Sequence, residues 1–151
     1  MDNIIATEAP ATPVAVERAD AQPARQAYHI LHWGFVAAPT IAGIDKFTHL
    51  LTNWDQYLAG RIEHILPMSG HAFMMLVGVV EIIAGLIVAL KPRVGAWIVA
   101  AWLCGIIINL LLVSGFYDIA LRDFGLLLAA IALARLSAVY DRGVFGRTKR
   151  A

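Results

Sequence analysis

Four long apolar segments follow one another along the chain, separated by shorter polar connections. They cover about residues 28–47, 71–90, 94–115 and 119–139. A helix rises about 1.5 Å per residue, so about 20 residues cross a hydrocarbon layer of about 30 Å. The apolar residues run together and do not alternate as in membrane strands, which indicates helices. The predicted fold class is therefore all-α, an integral membrane four-helix bundle.

The one long connection, between the first and second spans, also has helical periodicity. Its apolar residues recur every three or four positions, at Leu51, Trp54, Leu58, Ile62 and Ile65. This spacing predicts an extra amphipathic interfacial helix over about residues 53–66. Two interpretations stay open for it: an inert lid on the bundle, or a cover over a site that opens at that face.

Composition and charge support the membrane interpretation and orient the chain. Apolar residues make up 60% and charged residues 15%, whereas a soluble domain has about 45–50% and about 25%. The net charge of +1 does not suggest a nucleic-acid partner. The basic residues cluster on one side of the four-span arrangement: Arg18, Arg25, Lys91, Arg93, Arg142, Arg147, Lys149 and Arg150. The positive-inside rule makes that side cytoplasmic, together with both termini.

Three regions follow from this arrangement. Residues 1–27, rich in Ala, Pro and charge, are predicted to be a disordered cytoplasmic tail. Residues 28–139 form the membrane bundle, and residues 140–151 form a basic cytoplasmic tail.

Small residues repeat along the spans and predict the faces on which the helices pack, because they let backbones approach closely. They are Gly34, Ala38 and Ala42 in the first span, Gly78 and Gly85 in the second, and Ala101 and Gly105 in the third.

Glu81 lies near the middle of the second span, where an ionised carboxylate is costly unless it is paired. Lys46 and Arg122 are its candidate partners. Asp45 and Lys46 end the first span at the outer face, Asn109 lies toward that face, and Arg122 opens the fourth span there. These five residues form a predicted polar site that opens outward. Glu81 either handles a proton or faces a quinone headgroup, or it fixes helix packing.

The histidines and the cysteine indicate no bound cofactor. His49, His64 and His71 lie near the outer face and are the candidate metal ligands, but their spacings of 15 and 7 residues match no compact motif. We therefore predict no metal site, and no haem because the cores of spans two to four lack histidine. Cys104 stands alone, which excludes an intramolecular disulfide and a thiolate zinc site.

Two short motifs resemble the DoxX-like family of small four-helix bacterial membrane proteins. The run GIDKF at Gly43–Phe47 looks like that family's Gly-x-x-Lys signature, and Val77–Leu90 resembles its Gly…Glu…Gly second helix. The resemblance marks four positions: Gly43, Lys46, Glu81 and Gly85. It implies a location in the bacterial inner membrane. Because members have been linked to thiosulfate:quinone oxidoreduction, it also implies quinone or lipid as ligand and other membrane subunits as partners.

The motifs and the composition leave three hypotheses about function. The chain has no nucleotide-binding loop or flavin fingerprint, so a free-standing enzyme is not expected. The first hypothesis is a subunit of a larger membrane redox complex, either accessory or facing quinone or protons. The second is a purely structural assembly subunit. A small-solute or proton-coupled carrier ranks last, since no inverted repeat or broken helix is evident.

Overall fold

The computed structural model describes residues 13–113 and 115–141, with side chains from residue 22 onward. Over these residues the chain is all-helical, as predicted, and has no strand. The helices are α1 (Pro13–Thr48), α2 (Gly60–Glu63), α3 (Gly70–Leu90), α4 (Pro92–Leu112) and α5 (Tyr117–Tyr140), with a 3₁₀ turn at Trp54–Tyr57. Two of the described helices, α3 and α4, are long and apolar enough to cross a membrane.

The first helix begins earlier than the apolar pattern indicates. Residues 13–27 are part of α1, so this stretch is not the disordered tail predicted for residues 1–27. The stretch is rich in alanine, the strongest helix former, and it extends a helix that the apolar span already nucleates. Residues 1–12 and 142–151, the outer parts of the two predicted tails, lie outside the described residues.

The predicted helix over about residues 53–66 is instead two short pieces, the 3₁₀ turn and α2. Leu58 and Ala59 between them have extended backbone. The Asn109 side chain of α4 binds the Tyr57 carbonyl and the Ala59 N–H, which a continuous helix would use in its own hydrogen bonds. A tertiary contact therefore overrides the periodicity of this segment.

The most extensive helix contacts join α1 to α3 and α4 to α5. Gly78 and Gly85 of α3 lie at the contact with α1, as their spacing predicts. In α1 the predicted small residues Gly34 and Ala38 are exposed, whereas Gly43 and Lys46 contact α3. Periodicity identifies a stripe of small residues, but it does not determine which stripe faces a neighbour.

The buried core is unevenly distributed along the bundle. Apolar side chains such as Val88, Ala96 and Leu133 fill the end opposite the long connection, while buried charge lies at the connection end. Large apolar side chains stay exposed on the outside of all four long helices, among them Trp33, Leu86, Ile108 and Leu121. The bundle thus has a dry end, a polar end and an apolar outer surface.

Candidate functional site

The centre of the polar end is an ion pair between Lys46, in the last turn of α1, and Glu81, in the middle of α3. Lys46 Nζ donates to Glu81 Oε2 at 2.5 Å, and the two side chains are 2% and 9% exposed. A buried charge without a partner is strongly destabilising, so the pairing lets both groups stay buried. Of the two partners predicted for Glu81, the structure selects Lys46.

Two glycines allow this pairing. Gly43 and Gly78 each lie three residues before a member of the pair, so they share its helix faces one turn away. A Cβ on Gly43 would lie 2.6 Å from the Gly78 carbonyl oxygen, closer than real Cβ atoms come to any neighbour. The close approach of the two backbones brings the carboxylate of α3 within reach of the lysine.

Trp54, in the 3₁₀ turn, covers the lysine. Lys46 Nζ lies 3.8 Å from the centroid of the Trp54 ring, a cation–π arrangement. The indole N–H of the same ring donates to Asp45 Oδ2 at 2.7 Å. Helical spacing places Trp54 only in the apolar stripe of the connection, and spacing does not predict that its ring contacts α1.

Asp45 is buried, and hydrogen bonds satisfy its charge in place of a cation. Its Oδ1 accepts from the Thr48 hydroxyl at 3.1 Å and from the backbone N–H groups of Leu50 and Leu51 at 2.9 and 3.0 Å. With the indole of Trp54, this makes four donors on one carboxylate. Asp45 therefore shapes the turn that leads from α1 into the long connection.

The remaining two predicted residues lie apart from the ion pair. Asn109 Nδ2 donates to the Tyr57 carbonyl at 2.5 Å, and its Oδ1 accepts from the Ala59 N–H at 3.0 Å, so it fastens the connection to α4. Arg122 forms an exposed pair with Asp118 at 3.4 Å. The structure thus brings together Asp45, Lys46 and Glu81, links Asn109 to them through the connection, and leaves Arg122 outside.

Two further residues near Glu81 were missed by sequence reasoning. The Trp102 indole of α4 lies beside the Glu81 carboxylate but falls short of hydrogen-bond geometry, and its buried N–H has no partner among the described residues. Asp123 of α5 is close enough to interact electrostatically with Glu81 and forms no salt bridge within the described part of the chain. The rotation of α4 and α5, which spacing does not determine, decides both placements.

A second polar cluster lies at the same end of the bundle. His49 and His71 stack with their ring centroids 5.8 Å apart, and His71 Nδ1 lies 2.9 Å from Asp55 Oδ2. Two of the three histidines considered as candidate ligands thus meet at an acidic side chain. The third, His64, is not part of this cluster.

Comparisons with protein-family models, with curated proteins and with solved structures find no match to this chain. The DoxX-like resemblance therefore rests on the short motifs around Lys46 and Glu81 alone.

Proposed function

We propose that this chain is a four-span protein of the bacterial inner membrane that serves as an accessory subunit of a larger membrane complex. One observation carries the accessory role. The Lys46 and Glu81 side chains are buried and paired with each other, and the Trp54 ring covers the lysine. In that arrangement the pair holds α1 and α3 together. It does not present a free carboxylate to a substrate.

The membrane part of the proposal rests on the apolar outer surface. Soluble monomers rarely expose contiguous apolar patches beyond a few hundred Å², yet all four long helices of this chain expose large apolar side chains. The helices α3 and α4 meet the length and hydropathy needed to span a bilayer. In α5, the charges Arg122 and Arg135 lie near opposite ends and are exposed, so both can extend toward a membrane interface.

Orientation can be tested with single cysteines in a Cys104→Ala background. One cysteine replaces Arg61 in the long connection and the other replaces Arg93 in the first turn of α4, and both positions are exposed. A membrane-impermeant maleimide should label position 61 in intact spheroplasts and position 93 only after permeabilisation. Labelling of both positions in intact spheroplasts would reject the four-span topology with cytoplasmic termini.

An unpacked face of α4 supports the subunit role. Ala101, Cys104 and Gly105 are exposed on this helix, and a Cβ added to Gly105 would meet nothing within 4 Å. Small residues on a membrane helix are typical of contacts with another helix. We infer that this face receives a helix of the partner subunit.

The subunit role is tested by purification from native membranes in mild detergent. We expect the chain to migrate in a defined complex much larger than itself. Gly105→Leu should reduce that complex while leaving the bundle folded, and Gly125→Leu, which makes the same change at an exposed position of α5, is the matched control. A chain that purifies alone would overturn the subunit role and leave the membrane topology standing.

A quinone-facing or proton-handling role is the second candidate, and the unpaired Trp102 N–H beside Glu81 is the observation that favours it. A headgroup carbonyl or a water could accept from this donor. Under this role, Glu81→Gln lowers quinone-dependent turnover of the assembled complex. Under the accessory role, the yield of the complex falls while turnover per assembled complex stays constant.

A further inference from the structure

We propose that His49, Asp55 and His71 bind a divalent transition-metal ion, with Zn²⁺ as the probe, at the outer end of the bundle. Their candidate ligand atoms all lie within 4.8 Å of one another. Two imidazoles and one carboxylate are a ligand set found in zinc sites that keep a fourth position open. The spacing of these residues along the chain does not predict this site, and the proposed subunit role does not require it.

The three ligands come from three different parts of the fold. His49 follows the end of α1, Asp55 lies in the 3₁₀ turn, and His71 lies in the first turn of α3. The backbone of His49 has φ of 54°, in the left-handed region that non-glycine residues rarely adopt, and its N–H donates to the Asp45 carbonyl at 2.7 Å. This unusual conformation places the His49 ring against the ring of His71.

An unpaired oxygen gives an independent reason to expect a cation. Asp55 Oδ2 is paired with His71, but its Oδ1 is buried and has no hydrogen-bond partner among the described residues. A buried acceptor without a donor is destabilising, and a metal ion bound by the carboxylate supplies the missing positive charge.

Small side-chain movements complete the site. Zinc lies about 2.0–2.2 Å from nitrogen and oxygen ligands, so tetrahedral ligand atoms are about 3.3–3.6 Å apart. The 2.9 Å contact between Asp55 and His71 has to open slightly, and the widest pair of ligand atoms has to close by at most about 1.5 Å. Both histidines are exposed, so no close-packed core has to be rearranged for these movements.

The test uses the full-length chain, purified in detergent through an affinity tag without histidine. Zinc titration by calorimetry should give one equivalent bound, and Co²⁺ should give the visible absorption of a low-coordinate site. His71→Gln and Asp55→Asn should each weaken zinc binding at least about tenfold. His64→Gln removes another exposed histidine of the same connection and should leave the affinity unchanged.

Several results would overturn the proposal. These are no stoichiometric binding, equal loss of affinity in His64→Gln, or unchanged affinity in both His71→Gln and Asp55→Asn. Tryptophan fluorescence of each apo variant checks that it is folded, and His49→Gln provides a third ligand variant should one fail that check. None of these readouts depends on a partner complex, so they separate the metal site from the subunit role.

Discussion

Gly43 of α1 and Gly78 of α3 approach so closely that a Cβ on either would fall within 2.8 Å of the other's carbonyl oxygen. The contact lies one turn from the Lys46–Glu81 pair and sets the distance between the two helices there. Packing by glycine and pairing of charge are therefore parts of one interface.

Gly43→Ala should destabilise the bundle, because the added methyl group meets backbone atoms that cannot move aside independently. We expect a loss of about 1–3 kcal/mol in the free energy of unfolding, measured by denaturant titration in detergent. Gly34→Ala in the same helix is the matched control, since a Cβ there meets nothing within 4 Å. Equal effects of the two substitutions would contradict close α1–α3 packing at Gly43.

Removing one member of the Lys46–Glu81 pair should lower the free energy of unfolding by about 3–5 kcal/mol, because the other charge stays buried without a partner. Lys46→Met and Glu81→Met should each lower the unfolding midpoint strongly. The double variant should recover much of the loss, since an apolar pair carries no unpaired charge. Additive losses in the double variant would show that the two side chains do not interact.

The exposed pair Asp118–Arg122 is the control for the buried Lys46–Glu81 pair. Its side chains are 63% and 76% exposed, so water and salt screen the interaction. Asp118→Asn should leave the unfolding midpoint within experimental error. A loss of stability as large as that of Lys46→Met would contradict the exposure of the Asp118–Arg122 pair.

Asp45→Asn should loosen the turn after α1 without unfolding the helices. The carboxylate accepts hydrogen bonds through both oxygens, whereas an amide offers only one acceptor oxygen and an NH₂ group that faces donors. Amide exchange at Leu50 and Leu51 should become faster, and the Trp54 fluorescence should change. Unchanged exchange at both amides would contradict the hydrogen bonds assigned to Asp45.

Asn109→Leu should free the long connection from α4. The leucine has a similar volume but leaves the Tyr57 carbonyl and the Ala59 N–H without partners, at a cost of about 1–3 kcal/mol for a buried group. Faster amide exchange at Ala59 is the direct measurement. Cys104→Ser, which changes an exposed residue of the same helix, is the control.

Much of the candidate site follows from single residues and their depth. A carboxylate at position 81, inside a long apolar run, requires a partner in any helical fold, and Lys46, one of the two candidate cations, is that partner. Arg122 was an equally reasonable partner by depth, yet it lies on an exposed face of α5. Depth along a helix can be counted from the sequence, but rotation about its axis cannot.

The amino-acid sequence by itself determined that the chain is helical, where the apolar parts of its four long helices lie, and that buried charge lies toward one end. These properties depend on local composition and on the spacing of apolar residues, and both can be read from residues that are close together along the chain. Only the tertiary structure decided that Gly43 faces Gly78, that Trp54 covers Lys46, and that Asn109 splits the connection into two short pieces. Such contacts join residues far apart along the chain, and they depend on how whole helices rotate and pack to bury their surfaces together.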